Sequence, residues 1–164
     1  MTFAGVLLMS IVAATPWPAP CSDAAWRQFD FWLGDWDVRG NDAQAQVKGR
    51  NTIRRVDGCA LLEQWVGASG TTGHSLNVYD SADRKWHQFW VDSSGSVLRL
   101  SGGLVGDEMV MSGVSPSATG GAPQQQRITW SPRPDGSVRQ HWESSDDGRS
   151  WSTAFDGIYR HRAP

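Results

Sequence analysis

Tryptophan shares a strand face with an acidic or amide side chain at several places in this sequence. Because side chains alternate between the two faces of a β-strand, Glu63 and Trp65 share one face, as do Gln88 and Trp90. An apolar core excludes such polar groups unless each finds a partner, whereas a lumen that holds a polar ligand accepts them. We predict a ligand-binding lining made of Glu63, Trp65, Asn77, Tyr79, Gln88, Trp90, Trp130, Gln140 and Trp142. The alternative is that this face lies outside, with its tryptophans covered by loops.

The chemistry that this lining suits is binding. Tryptophan and tyrosine offer a flat apolar surface with a hydrogen-bond donor at the edge. Glu63, Asn77 and Gln88 would fix the orientation of a polar group on the ligand. We therefore predict a small-molecule ligand that is aromatic or amphipathic, or a sugar ring that stacks on tryptophan.

Two strand carboxylates, Glu63 and Asp92, define an enzymatic alternative. A buried carboxylate with a raised pKa can act as a general base. No nucleophile elbow, metal-ligand spacing or phosphate-binding loop accompanies them. A carboxylate that accepts from a tryptophan N–H or an arginine explains each residue without catalysis. The sequence thus favours binding over reaction and predicts no catalytic residue.

Four histidines, His74, His87, His141 and His161, are the candidates for a haem or metal site. None has the spacing of a metal motif with another ligand, although His87 and His141 would meet if their strands were neighbours. An isolated strand histidine is more often solvated or hydrogen-bonded. We predict neither a metal site nor another cofactor.

Most of the chain is organised as short strands separated by glycine-rich and Asp/Ser-rich turns. Turn signals recur every 8–12 residues, as expected in a sandwich or barrel. Ten strands joined by hairpins favour an all-β, up-and-down antiparallel barrel, which leaves no exposed edge. The predicted strands are Gly34–Arg39, Ala45–Val56, Ala60–Val66, Gly73–Tyr79, Lys85–Asp92, Ser96–Ser101, Glu108–Gly113, Gln126–Ser131, Ser137–Ser144 and Thr153–Arg160.

Two segments of the chain do not read as strands. The stretch 22–33 begins with Ser22-Asp23, a helix cap, and predicts a short helical turn across one mouth of the barrel. The polar loop Val114–Gln124 is rich in Gly, Ser and Gln, and this composition favours a disordered segment over a flexible tether or lid. A third function class, a secreted interaction module without a ligand, would use such a loop to bind a partner.

Gly34-Asp35-Trp36, at the start of the first strand, resembles the Gly-x-Trp motif of the calycin superfamily, which includes the lipocalins and fatty-acid-binding proteins. The resemblance implies that Trp36 closes the base of the barrel and that an arginine of the last strand stacks on it. Arg160 or Arg162 would supply this cation–π contact. Gly34 and Trp36 are therefore predicted to be structural.

The segment 21–162 is also similar to an uncharacterised family of secreted bacterial barrel proteins. That similarity rests on the start Phe29-Asp30-Phe31-Trp32-x-Gly34-x-Trp36 and on the stretches 58–63 and 86–92. It implies a fold and carries no reaction. A shorter match, 144–151, looks like an Asp-box, Ser-x-Asp-x-Gly-x-x-Trp, which staples a hairpin. One copy does not make a propeller, so we interpret it as structural.

Residues 1–20 are predicted to be a signal peptide followed by a proline-rich spacer, and residues 21–164 a single barrel domain. Export predicts a secreted or periplasmic location, where cysteines oxidise. A bridge between Cys21 and Cys59 would add ~3–4 kcal/mol of stability by the chain-entropy argument. Two free thiols are the alternative.

The totals exclude other partner classes. The net charge is −2, with acids and bases interspersed, and no basic stripe marks a nucleic-acid surface. The apolar N-terminal run is shorter than the ~20 residues that a spanning helix needs. We predict a small-molecule ligand, no nucleic acid and no membrane span, and we leave the oligomeric state open.

Overall fold

The computed structural model describes residues 21–116 and 121–163. The predicted signal peptide and spacer, 1–20, lie outside the described residues, as do 117–120 within the predicted polar loop. Ten strands form one sheet. They are β1 Gly34–Gly40, β2 Val47–Val56, β3 Ala60–Gly67, β4 Thr72–Asp80, β5 Lys85–Asp92, β6 Val97–Val105, β7 Glu108–Ser115, β8 Gln124–Pro132, β9 Val138–Ser145 and β10 Ser152–His161.

Each strand pairs antiparallel with the next, and β10 pairs with β1 to close the barrel. The predicted closed, up-and-down barrel is therefore confirmed. In the seam Trp36 lies opposite His161 and Gly40 opposite Gly157. Closure satisfies the backbone donors and acceptors that an open sheet leaves at its edges.

The turns follow local chemistry that the sequence carries. Between β2 and β3, Asp57 and Gly58 both have positive φ, at 50° and 69°. The Cys59 amide donates to the Val56 carbonyl at 3.1 Å. Two successive positive φ angles are typical of a type I′ turn, whose twist matches the flanking strands and which favours Asp-Gly.

A layer of aromatic side chains fills one end of the barrel. The short helical segment predicted here is present as two 3₁₀ turns, Ala24–Arg27 and Asp30–Trp32, and these turns place the aromatic layer at this end. Phe29 stacks on Trp32 with ring centroids 4.9 Å apart and meets Trp130 edge-on at 5.2 Å. The Trp36 indole N–H donates to the Trp32 carbonyl at 3.0 Å. We call this layer the closed-end cluster: Phe29, Trp32, Trp36, Trp86, Trp130 and Tyr159, all buried.

The predicted arginine contact on Trp36 is wrong. In the described part of the chain neither Arg160 nor Arg162 stacks on this indole; both lie on the outer face and pair with aspartates. His161, between them in sequence, stacks on Trp36 instead, with centroids 3.8 Å apart, and is itself exposed at the end of β10. Gly34 leaves room for this pair, because a Cβ there would lie 2.8 Å from the His161 ring.

A disulfide joins Cys21 to Cys59, as predicted. The two residues are 38 positions apart, and the bond ties the segment before the first 3₁₀ turn to the β2–β3 turn. The cross-link thus anchors the segment that carries Phe29 and Trp32 over the end of the barrel. Within the described residues no helix has the length and apolar character needed to cross a membrane.

The turn between β9 and β10 holds the Asp-box-like sequence. Asp147, rather than the Asp146 that the motif spacing selects, accepts from the amides of Arg149 and Ser150 at 2.7 Å each. These backbone donors lower the pKa of Asp147 to about 2. Trp151 packs outside the barrel under the Arg127 guanidinium. The motif is therefore a turn staple in this chain.

Candidate functional site

A cavity of about 110 Å³ occupies the end of the lumen opposite the closed-end cluster. Strand alternation brings its walls together, because every lining residue lies on the inner face of its strand. The aromatic residues at its rim are half-buried, so the cavity opens to solvent. The lining consists of Glu63, Trp65, Gln88, Trp90, Leu98, Ile128, Gln140, Trp142, Phe155 and Tyr159.

The same local pattern supplies three of the walls. A polar residue and a tryptophan stand two positions apart in Glu63-x-Trp65 on β3, Gln88-x-Trp90 on β5 and Gln140-x-Trp142 on β9. In each pair the tryptophan is nearer the open end, because β3, β5 and β9 all run from the filled end of the barrel towards the open end. The result is an aromatic collar above a polar floor.

Hydrogen bonds and ring contacts hold the collar in place. The Trp142 indole N–H donates to the Gln126 side chain at 2.6 Å, and the Trp90 indole N–H donates to Asp92 at 3.4 Å. Trp65 meets Phe155 edge-on, with centroids 6.0 Å apart. Side chains fixed in this way lose little further rotamer freedom when a ligand binds, which favours affinity.

Two collar indoles lie flat against glycine backbone. A Cβ at Gly73 would stand 2.3 Å from the Trp90 ring, and one at Gly49 would stand 2.8 Å from the Trp65 ring. Only glycine allows this close approach without displacing the indole or the neighbouring backbone.

We expect Gly73→Ala to displace Trp90 and to lower the free energy of unfolding by about 1–3 kcal/mol, the usual range for forcing extra volume into a packed site. Urea unfolding measures the loss, and the change in tryptophan emission reports the displacement. Gly103→Ala is the matched control, because a Cβ there meets nothing within 4 Å. Equal effects in the two variants would contradict the proposed contact.

Glu63 is the centre of the polar floor and is 4% exposed. One carboxyl oxygen accepts from the Asn51 side-chain amide at 2.6 Å, and the other from the Ser75 hydroxyl at 2.5 Å. Asn77 donates to Ser75 at 2.8 Å, and Gln88 donates to Asn77 at 2.9 Å. Four strands, β2 to β5, thus contribute to one buried network around a single carboxyl group.

The network continues to β9 and β10 through Tyr159. The Tyr159 hydroxyl donates to the side-chain oxygen of Gln140 and lies 3.5 Å from the side-chain nitrogen of Asn51. The Asn51 side-chain oxygen has no hydrogen-bond partner in the described part of the chain. The floor of the cavity therefore retains one buried acceptor without a donor.

Burial controls the ionisation of the floor. Removal from water raises the pKa of Glu63 from 4.5 to about 7, although the hydrogen bonds from Ser75 and Asn51 oppose this change. Burial, and then the nearby Glu63 charge, hold the pKa of Tyr159 well above its ordinary value. At neutral pH Glu63 thus exchanges between its protonated and ionised forms, while Tyr159 stays neutral.

Six of the nine predicted lining residues stand on the wall of this cavity: Glu63, Trp65, Gln88, Trp90, Gln140 and Trp142. The other three, Asn77, Tyr79 and Trp130, do not, which corrects the predicted lining. Asn77 is buried within the floor network. Tyr79 packs on Trp26 and Trp86, towards the filled end, and Trp130 belongs to the closed-end cluster. Sequence alternation identifies the inner face but not the depth at which the lumen is filled.

Four wall residues were missing from the sequence prediction: Leu98, Ile128, Phe155 and Tyr159. In β10 the alternation of Phe155, Gly157 and Tyr159 carries the signal, because these positions share one face. Asn51, which donates to Glu63, is marked in the same way, because Gly49, Asn51 and Ile53 alternate along β2 and share its inner face.

Of the two carboxylates considered for catalysis, Glu63 lies on the cavity wall, whereas Asp92 and the histidines considered for metal binding do not. His87 and His141 are on β5 and β9, which are not neighbours in the barrel, so the two histidines do not meet across adjacent strands. His87, half-buried near the start of β5, lies beside the exposed Asp80 and Asp83, with their ligand atoms within 4.8 Å of one another. Asp92 binds the amides of its own turn.

A wider groove of about 560 Å³ lies outside the cavity and shares Trp90, Leu98 and Trp142 with it. Asp92 and Arg99 are its charged residues. Cavity and groove together have the size of an ordinary small-molecule site, roughly 300–1,000 Å³. A ligand group seated in the cavity has room for the rest of the molecule in the groove.

No protein-family model matches the sequence. A search of curated proteins gave no match either.

Proposed function

We propose that this protein binds a small amphipathic or aromatic ligand in the lumen of its barrel, outside the cytoplasm. The observation that carries the proposal is the cavity itself: three indoles above a floor of hydrogen-bonded polar groups. Flat apolar surfaces with a few convergent polar groups are typical of ligand sites. The half-filled lumen supports this function over that of a secreted interaction module, which needs no cavity.

Two further observations support the location and the family. The Cys21–Cys59 disulfide fits an oxidising compartment, in agreement with the predicted signal peptide. The closed barrel, with Gly34 and Trp36 at the start of β1 and Trp36 buried at the closed end, supports a relationship to the calycin-like barrels. We infer a secreted or periplasmic protein of that kind.

Tryptophan fluorescence tests the binding proposal. We expect at least one member of a panel of small aromatic, amphipathic and sugar compounds to change the emission of the protein in a saturable way. The change should shrink in Trp90→Phe and persist in Trp151→Phe, because Trp151 lies outside the barrel on Arg127. Flat titrations across the whole panel would count against a ligand-binding function.

The pKa of Glu63, about 7, favours a second candidate, a small-molecule enzyme with Glu63 as general acid or base. Mass spectrometry of any bound compound separates the two. A binder returns the compound unchanged. An enzyme converts it, and the conversion is lost in Glu63→Gln.

A further inference from the structure

The charge pattern of the lumen differs from that of the outer surface. On the outside, carboxylates pair with arginines, as in Arg127–Glu143 and Arg139–Asp156. Inside, Glu63 accepts only from the neutral donors Asn51 and Ser75. Among the described residues that line the cavity, none is lysine, arginine or histidine. Within the described part of the chain, the lumen thus buries an acidic group and has no basic side chain on the cavity wall to match it.

The surroundings of that acidic group suit a cation from outside the protein. Indole rings are the best of the side-chain surfaces for attracting a positive charge, and the attraction grows when water is excluded. Trp65, Trp90 and Trp142 form the collar above Glu63, and Phe155 adds a fourth ring against Trp65. Aromatic cages of this kind recognise quaternary ammonium and methylated amine groups.

We propose that the cavity binds a small organic cation, with a quaternary ammonium or protonated amine group held between the collar tryptophans and facing the Glu63 carboxylate. This inference rests on the proposed ligand-binding function and specifies its ligand class.

The size of the cavity agrees with this class. A cavity of roughly 150 Å³ holds one benzene molecule. At about 110 Å³, open at one end, the cavity has room for a trimethylammonium group or a short alkylamine. The remainder of the ligand extends into the groove beyond Trp90 and Trp142.

Binding of a cation is coupled to a proton. At mildly acidic pH the empty site holds the protonated carboxyl group, and the cation binds as that proton leaves to the solvent. Among the residues that the structure describes, the other titratable group facing Glu63 is Tyr159, from β10, which remains neutral. Asn51, Ser75 and Gln140 complete the surroundings of Glu63 without charge. Asp92 and Arg99 line the outer groove instead. Affinity for the cation therefore rises with pH until Glu63 is ionised.

Choline and its uncharged isostere 3,3-dimethylbutan-1-ol form the matched pair of probes. At pH 8 we expect choline to bind the wild-type protein at least tenfold more tightly than the alcohol, by calorimetry and tryptophan fluorescence. Lowering the pH to 5.5 should weaken choline binding by about 30-fold, since one proton must be released against a pKa near 7. The alcohol, which needs no proton release, should show no such dependence.

Glu63→Gln should remove the preference for choline, so that choline and the alcohol bind the variant with similar affinities. Glu143→Gln, an acidic residue on the outer face, is the control and should keep the preference. If Glu63→Gln does not fold, the wild-type pair and its pH series still decide the question.

The outcomes separate the two proposals. Equal binding of both probes, or tighter binding of the alcohol, overturns the cation proposal and leaves a ligand-binding lumen in place. Binding of neither probe, alongside a positive result elsewhere in the fluorescence panel, also overturns only the cation proposal. Absence of binding by both probes and by the whole panel overturns the proposed function as well.

Discussion

Phe29→Ala should lower the free energy of unfolding by about 3–5 kcal/mol, the range found for removing a large buried aromatic side chain. Phe29 is fully buried at the centre of the closed-end cluster. Its ring stacks on Trp32 and meets Trp86 and Trp130 edge-on, at 5.7 and 5.2 Å. Large rings held by a closed barrel cannot collapse into the space that alanine leaves, so the cost should lie towards the upper part of this range.

Urea unfolding followed by tryptophan emission measures this loss, provided that the transition is two-state. Phe89→Ala is the matched control, because Phe89 is 45% exposed on the outer face. Its contact with the Arg99 guanidinium is the main interaction lost and is worth about 0.5–1 kcal/mol. Similar losses in the two variants would show that the closed-end cluster does not stabilise the barrel.

The second prediction concerns the pH dependence of stability. Because the pKa of Glu63 rises from 4.5 in the unfolded chain to about 7 in the folded protein, the folded state retains a proton that the unfolded state has released between these values. Stability therefore falls by about 1.4 kcal/mol per pH unit across that interval. The wild-type protein should lose about 3 kcal/mol between pH 4.5 and pH 8, all of it below about pH 7.

Glu63→Gln should not show this loss, because its amide stays neutral. The difference in unfolding free energy between wild type and variant should thus shift by about 3 kcal/mol in favour of the variant as the pH rises. Glu143→Gln, which removes a carboxylate from the outer face, shows any effect of the general loss of negative charge. If the difference in unfolding free energy between wild type and Glu63→Gln stayed constant over this range, burial would not raise the pKa of Glu63.

Strand number, hairpin order and inner faces were readable from the sequence because each has a local cause. The strand Lys85–Asp92 agrees with the structure at both ends, since an aspartate-rich turn precedes it and Ser-Ser-Gly follows. Period-two alternation placed Glu63 and Trp65 together on the inner face. Two cysteines in a chain expected to be exported were enough to predict the disulfide.

The remaining errors come from contacts that no local pattern encodes. The sequence predicts that the sixth strand ends at Ser101, before Gly102-Gly103, yet β6 runs on to Val105. Gly102 is needed inside the strand, because a Cβ there would lie 2.0 Å from the Val110 carbonyl of β7. A glycine that ends a strand and one that admits a neighbouring backbone look alike in sequence. The choice of His161 over its arginine neighbours likewise depends on the register of the β1–β10 seam.

The depth of the cavity was also beyond the sequence. Tyr79 and Trp130 lie on inner faces, as alternation predicts, but the 3₁₀ turns bring Phe29 and Trp32 onto their end of the lumen. Which end is filled depends on how the segment before β1 folds back, and the disulfide fixes that path. Only the tertiary structure shows this arrangement.

The seam between β1 and β10 has a kinetic consequence. Across it the Asn41 amide donates to the Asp156 carboxylate, over a sequence separation of 115 residues. Forming such a distant pairing costs chain entropy before it gains contacts, so refolding should be slow, on a scale of milliseconds to seconds. Until β1 and β10 pair, both strands have unpaired edges that can pair with another molecule. Refolding at low protein concentration should therefore raise the yield of native protein after denaturant removal.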